Sequence, residues 1–280
     1  MPDAPSQVTQ PHSSVRETPS VIQILTEAFQ QFVLDVQNYA RMSALSLANL
    51  LTKPRYTQDT LDQMDDIGVG SLPIVLLSGF FIGAVMVLQT GQQFQRFGQV
   101  SLTGDIVSLA LVRELGPTIT GLLVAGRCSS GIASELGSML VTEQVDAMRA
   151  MGTDPSRKLI SPRVLASIIT VPLLTTISVF VGLLGGMVAS VFSLRLSPTT
   201  FWQRAIGILE FSDLMQGFTK SLLFAFILST VGCYKGLNVR GGTQGVGRAT
   251  TQAVVVSSVL IIVSDTFLTK LALYLADKFF

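Results

Sequence analysis

Apolar residues run along this chain in two rhythms. Ile22, Leu25, Phe29, Phe32, Val33 and Val36 recur at three- and four-residue steps, while Gln23, Glu27, Gln30, Gln31 and Asp35 take the other side. That spacing predicts an amphipathic helix over residues 21–53, suited to lying in a membrane interface because no soluble core follows it. Further along, the rhythm gives way to unbroken apolar runs. Ile67 to Gln95 and Val164 to Leu194 contain no Asp, Glu, Lys or Arg, and each exceeds the roughly 20 residues that cross a hydrocarbon core as a helix. Ser221 to Tyr234 is shorter and bounded by Lys220 and Lys235. Lysines at helix ends lay their stems along lipid and keep their amines among the headgroups, so it is counted as a span.

Two more segments, Leu109 to Val141 and Ala249 to Leu275, are apolar but interrupted by charge. The expected architecture is an all-α membrane protein: an N-terminal amphipathic interfacial helix, then five transmembrane helices at about 67–92, 109–141, 164–194, 218–239 and 249–275. Residues 54–280 would form the membrane domain, set off by the Pro54 region. Residues 1–20 are polar, lack an apolar signal-like core, and read as a disordered cytoplasmic tail.

Between spans two and three, Thr142 to Met151 predicts a short cytoplasmic helix. Thr142 is placed to cap it, Glu143 and Asp146 sit at the positive end of its dipole, and Gly152 and Pro155 stop it. Val145, Met148 and Met151 make an apolar stripe on this helix, and methionine adapts to an irregular groove, so the stripe reads as a docking peg. Gly241-Gly242-Thr243-Gln244-Gly245-Val246-Gly247-Arg248 is taken as a tight turn between spans four and five; it follows no strand and does not fit a phosphate loop. Gly182, Gly185 and Gly186 in span three, and Gly126, Ser130, Ser134 and Ser138 in span two, are spaced to let another helix approach closely.

Composition agrees with the pattern. Of 280 residues, 48% are hydrophobic and 13% charged, where a soluble domain carries about 25% charged residues. The net charge of +1 offers no field for nucleic acid. With the N-terminus inside, eleven Lys and Arg fall on the cytoplasmic side (Arg16, Arg41, Lys53, Arg55, Arg149, Arg157, Lys158, Arg163, Lys235, Arg240, Arg248) and six outside (Arg96, Arg195, Arg204, Lys220, Lys270, Lys278), which favours N-in, C-out. Cys128 and Cys233 lie within spans as small packing residues, and the sole histidine, His12, is in the tail, so neither a metal site nor histidine-based catalysis is expected. No Gly-Lys pair exists in the chain, so a Walker A loop is missing and any ATP-driven work needs another subunit.

Charge inside the spans is the candidate chemistry. Arg113, Glu114, Arg127 and Glu135 occupy the second span and Asp265 the fifth. A charge near the bilayer centre costs roughly 2.5–3.5 kcal/mol on insertion, so such groups face a protein interior or a wet cavity. Arg127 and Glu135 are about 12 Å apart along one helix and about 80° around it, so each is expected to find its partner on another helix. For Asp265, neighbouring serine or backbone groups are the favoured partners.

The segment LVRELGPTITGLLVAGRCSSGIASELGSMLVTEQVDAMRAMGTDP, Leu111 to Pro155, resembles the MlaE-type permeases. These are ABC transporter membrane subunits associated with MCE proteins, and they include the chloroplast lipid permease of plants. The likeness extends upstream through Gln63 to Val75 and downstream through Ser161-Pro162-Arg163 and Gly241 to Thr251. It implies a homodimer, two ABC ATPase subunits carrying ATP and Mg on the cytoplasmic side, an MCE-domain lipid carrier on the other, and a phospholipid or related lipid as cargo. The membrane would be a bacterial inner membrane or a chloroplast inner envelope. The chain itself would be no enzyme and hold no cofactor. By the same resemblance Glu143, Gln144, Val145, Asp146, Ala147, Met148 and Met151 fall on or beside the coupling helix that transmits ATPase closure, and Arg113 and Glu114 match a charged pair at the outer end of span two.

The leading expectation is therefore a lipid-conducting permease whose spans one and five, from two protomers, line a cavity for acyl chains. A rival is an ion- or proton-coupled secondary transporter using Glu114, Glu135 and Asp265 as a relay. A third, an intramembrane hydrolase, lacks a histidine in any span and has its acids scattered over several segments.

Overall fold

The computed structural model describes residues 21–50 and 56–279; the 1–20 tail with His12, the Pro54 linker, and the side chains of Ile22, Leu25 and Phe32 lie outside the described residues. Residues up to Arg41 form one unit and residues from Met42 onward another. Every regular element among the described residues is helical. In chain order they are α1 (Val21–Leu50), α2 (Thr57–Gly68), α3 (Leu72–Arg96), α4 (Thr103–Ala110), α5 (Gly116–Val124), α6 (Ser130–Val141), α7 (Gln144–Ala150), α8 (Ser161–Leu194), α9 (Pro198–Gly207), α10 (Phe211–Leu237) and α11 (Gly242–Phe279).

Five of the resulting rods are long and apolar enough to cross a membrane: Thr57–Arg96, Val100–Val141, Ser156–Leu194, Phe211–Leu237 and Gly242–Leu275. They extend the expected spans, because polar residues continue the helices beyond the apolar runs. In span four, Glu210 and Asp213 form a reciprocal capping box that starts α10 at Phe211, about 14 Å before Lys220. The glycine-rich segment is not a turn. Only Gly241 and Gly242 adopt positive φ, of 91° and 64°, and α11 starts at Gly242. The helix tolerates Gly245 there because that residue packs against the Arg240 carbonyl.

Small residues let α3 and α8 touch backbone to backbone. A Cβ at Gly79 would lie 2.8 Å from the Ser178 carbonyl oxygen, and Cβ atoms at Gly83 and Gly185 would collide with the carbonyls of Gly182 and Phe80. In lipid there is little hydrophobic drive between helices, so such close approach supplies the association through dispersion. The predicted glycines of span three are thus confirmed as a packing seam, matched by Gly79 and Gly83. The stripe Gly126, Ser130, Ser134, Ser138 is not a seam within the chain: a Cβ at Gly126 meets nothing, and Ser134 and Ser138 are exposed. Helix α6 instead packs through Ile132, Ala133, Leu136 and Gly137, facing Gly232 and Gly236 of α10.

Three π-helical turns interrupt the spans: Leu111–Leu115, Ala125–Ser129 and Ser156–Ile160. The first and third precede Pro117 and Pro162, whose missing N–H cannot serve the carbonyl four residues back, and widening the ladder absorbs the break. Arg113, Glu114 and Arg127 sit on these turns. Each span-two π turn rotates a charged side chain toward a neighbouring helix.

Candidate functional site

A buried lysine organises one half of the bundle. Lys220 on α10 has a side chain 1% exposed. Its Nζ forms an ion pair with Glu114 Oε2, lies 2.8 Å from Asp265 Oδ1 on α11, and donates to Thr269 Oγ1 at 2.8 Å. Thr118 on α5 donates to Asp265 Oδ2 at 3.0 Å. Glu114 Oε1 has only longer contacts, Gln216 Nε2 at 3.4 Å and Thr269 Oγ1 at 3.3 Å. One ammonium therefore ties together the Leu111–Leu115 turn and α11, with Thr118 extending the network to α5. Lys220 is not an interfacial lysine at the end of a short span, as its flanking position suggested; it is a cation enclosed by two acids. Asp265 is held by Lys220 and Thr118, not by the serine or backbone groups expected.

Arg113 turns the other way. Its Nε donates to Asp213 Oδ1 at 2.6 Å and a terminal nitrogen pairs with the same oxygen. The other oxygen of Asp213 accepts from the Glu210 backbone N–H at 2.9 Å, so the capping box that starts α10 also orients the carboxylate. Asp213 is 1% exposed, whereas the Arg113 side chain is 39% exposed. Both Arg113 and Glu114 lie about 20 Å along the second span from Val100, inside it and not at its outer tip.

A cavity of about 550 Å³ opens beside these pairs, within the roughly 300–1,000 Å³ of sites that hold small ligands. Arg113, Glu210, Asp213 and Lys220 line one part; Met215, Leu268, Leu271 and Leu273 supply apolar wall. A lining that mixes charged groups with hydrocarbon is the chemistry of an amphiphile's site.

The other predicted residues serve elsewhere, and both find partners on other helices as expected. Arg127 donates to the Asp66 carboxylate at 3.0 Å and the Asp66 carbonyl at 2.7 Å on α2, and to Ser71 Oγ at 3.2 Å. Glu135 pairs with the buried Arg163 of α8 at 2.7 Å. Glu135 is about 30 Å along the axis from Glu114, so the three-acid relay is not assembled; Glu114 and Asp265 meet at Lys220 without it. Arg163, counted by its sequence position as a loop cation, is 5% exposed.

Beneath the Glu135–Arg163 pair, α7 is seated on the bundle. Val145 is fully buried in a cluster with Ile132, Leu136, Leu159, Ile160, Val164 and Cys233, and Met148 packs on its edge. The apolar stripe thus anchors α7 to its own chain, because only one face of so short a helix can be covered by the spans beside it. Glu143, Gln144, Asp146 and Ala147 are exposed, and Met151 is 74% exposed. Thr142 does not cap the helix: its hydroxyl donates back to the Ser138 carbonyl at 2.9 Å, and Glu143 takes the capping position at φ 60°. The far end closes as foreseen. Gly152 adopts φ 76°, with Thr153 N–H on the Met148 carbonyl and Gly152 N–H on that of Arg149, both at 3.0 Å.

Sequence alone missed Lys220, Asp213, Asp66 and Arg163 as partners. The signal for the first two was the Glu210–Asp213 capping pair, which starts α10 at Phe211 and places Lys220 about two and a half turns inside the helix. Arg163 and Asp66 carried no such mark, since each lies beside an apolar run and reads as its boundary.

Five apolar helices around a mixed-charge cluster and an amphiphilic cavity define a multi-pass membrane permease. The chain belongs to the MlaE permease family, whose pattern residues 60–271 match. It is 40% identical over 241 residues, 86% of this chain and 93% of the relative, to a protein of Rickettsia typhi named as a probable ABC transporter permease. It is 31% identical over 255 residues, 90% of this chain and 98% of the relative, to the intermembrane phospholipid transport system permease MlaE of Haemophilus influenzae. The chloroplastic protein trigalactosyldiacylglycerol 1 of Arabidopsis thaliana is 38% identical over 213 residues, 76% of this chain and 61% of the relative. The protein is thus a permease of the ABC transporter type, the ATPase of such systems being a separate subunit.

Proposed function

We propose that two copies of this permease form the membrane core of an ATP-driven transporter that moves a phospholipid or related lipid between the membrane and an MCE-domain carrier. The observation that carries this reading is the cavity at α10 and α11, whose lining combines Arg113, Lys220, Glu210 and Asp213 with Met215, Leu268, Leu271 and Leu273. A headgroup would lie at the charged part and an acyl chain against Met215, Leu268 and Leu271. Helix α11 supports a second copy: only 11% of its most apolar stretch is buried within the chain, against 56% for α10, leaving Val255, Val259, Ile262 and Phe267 for a partner or for lipid.

The orientation is N-in, C-out. Setting aside Arg163 and Lys220, which are buried, ten cytoplasmic cations remain against five outside. Helix α1 would lie along the cytoplasmic interface, with Phe29, Val33 and Val36 exposed for lipid. The membrane would be a bacterial inner membrane or a chloroplast inner envelope. ATP and Mg would be held by two ATPase subunits, which meet α7 through Glu143, Gln144, Asp146, Ala147 and Met151. Val145 and Met148 would carry the push into α6 and α8.

The test is ATP-driven lipid movement in proteoliposomes containing the permease, its ATPase and its carrier. Met151→Asp is expected to lower ATP-coupled transport about tenfold, the size of a modest interface hot spot. Because Met151 is exposed, thermal stability should shift by no more than about 0.5 kcal/mol. Unchanged coupled transport in that variant removes α7 from the coupling role.

A further inference from the structure

We propose that the cavity at α10 and α11 selects a headgroup bearing an ammonium group beside its phosphate, a zwitterionic headgroup, over a purely anionic one; this rests on the lipid-permease reading above. Four ionisable side chains line the cavity, Arg113, Lys220, Glu210 and Asp213, and two more acids, Glu114 and Asp265, pair with Lys220 behind that lining. Their formal charge is two cations against four anions, a surplus of two negative charges.

The cations are also unequally available. Lys220 donates to Glu114 and Thr269 and forms an ion pair with Asp265 Oδ1 at 2.8 Å, so the three donors of an ammonium face a crowded shell. Its side chain is 1% exposed, so a phosphate has no unoccupied face of it to approach. Arg113 is different: two nitrogens address Asp213 Oδ1, yet a guanidinium carries five donors. That leaves Arg113 able to receive one phosphate while keeping its pair.

The acids offer the complementary half. Glu210 is exposed at the start of α10, and Glu114 is 36% exposed, with Oε1 held only by contacts of 3.3 and 3.4 Å. An ammonium near either would offset the surplus negative charge. A purely anionic headgroup would add to that surplus where the dielectric is low and repulsion is large. One arginine for a phosphate and the exposed Glu210 for an amine, both in the cavity lining, match a zwitterion.

The experiment incorporates the intact permease into vesicles of equimolar phosphatidylethanolamine and phosphatidylglycerol with identical acyl chains. The protein is then extracted gently and the retained lipid quantified by native mass spectrometry. The retained lipid is expected to show a phosphatidylethanolamine-to-phosphatidylglycerol ratio of at least about 3:1, the scale of a partly exposed charge interaction. Equal retention, or enrichment of phosphatidylglycerol, overturns the inference. Glu210→Gln keeps an oxygen acceptor for the cap of α10 and is expected to lower the enrichment about two- to fivefold; an unaltered ratio in the folded variant overturns the charge assignment. The readout needs no ATP, so enrichment without any ATP-driven lipid movement would sink the transport reading and leave the headgroup preference standing. Retention of no lipid would sink both.

Discussion

Lys220→Met is expected to destabilise the protein by about 3–5 kcal/mol, the cost of removing one partner from a buried ionic cluster. The substitution leaves Glu114 and Asp265 facing each other at the join of the Leu111–Leu115 turn and α11, with no cation between them. Thermal unfolding followed through the single tryptophan, Trp202, measures it. The triple variant Lys220→Met, Glu114→Gln, Asp265→Asn separates folding from function. Removing all three charges together should return stability to within about 1–2 kcal/mol of the parent, because neutral replacement of a buried ionic cluster is often tolerated. Lipid transport should stay reduced in the triple variant, since Lys220 and its two acids no longer hold the Leu111–Leu115 turn against α11 beside the cavity, although Arg113, Glu210 and Asp213 remain in its lining. Full transport with all three charges removed would make the cluster a purely structural tie.

The second large effect is steric. Gly185→Leu should prevent α3 and α8 from closing, because even the first added carbon would collide with the Phe80 carbonyl. That obstacle is backbone, which cannot rotate aside as a flexible side chain does. Overpacking of a tight core costs about 1–3 kcal/mol when side chains can yield, so at least the upper end of that range is expected here. The check is the yield of folded protein and its unfolding temperature in detergent, set against Gly207→Leu, where an added carbon meets nothing. Equal behaviour of the two variants would mean that the helices do not approach as described.

Seen from particular residues, the chain announced its rods far better than their partnerships. Ile67 to Gln95 and Val164 to Leu194 could be nothing but spans, because a charge-free run of that length has no comfortable place except hydrocarbon. The same logic marked Arg113, Glu114, Arg127, Glu135 and Asp265 as groups that must find partners. It could not name those partners, because an ion pair such as Glu114 with Lys220 joins residues more than a hundred positions apart. Where apolar and polar runs abut, the logic also misplaced residues: Lys220 and Arg163 read as boundary cations and are among the most enclosed charges in the bundle.

Helix α7 shows the limit from another side. Its existence and its Gly152 stop were legible from local chemistry, since a dipole, a stripe and a positive-φ glycine are properties of a few neighbouring residues. The direction its stripe faced was not. Val145 could serve a partner or the chain's own core, and only the spans that crowd around it decide for the core.

The sequence by itself determined the membrane class, the five helices and the need to shelter five ionised groups, since transfer free energies act on each segment separately. Tertiary structure alone decided that one lysine would hold two of those acids and that glycines would bring α3 against α8. It also placed a partly exposed arginine in the lining of a cavity with apolar walls. Such arrangements depend on contacts between distant segments, whose energy exists only once the helices have met.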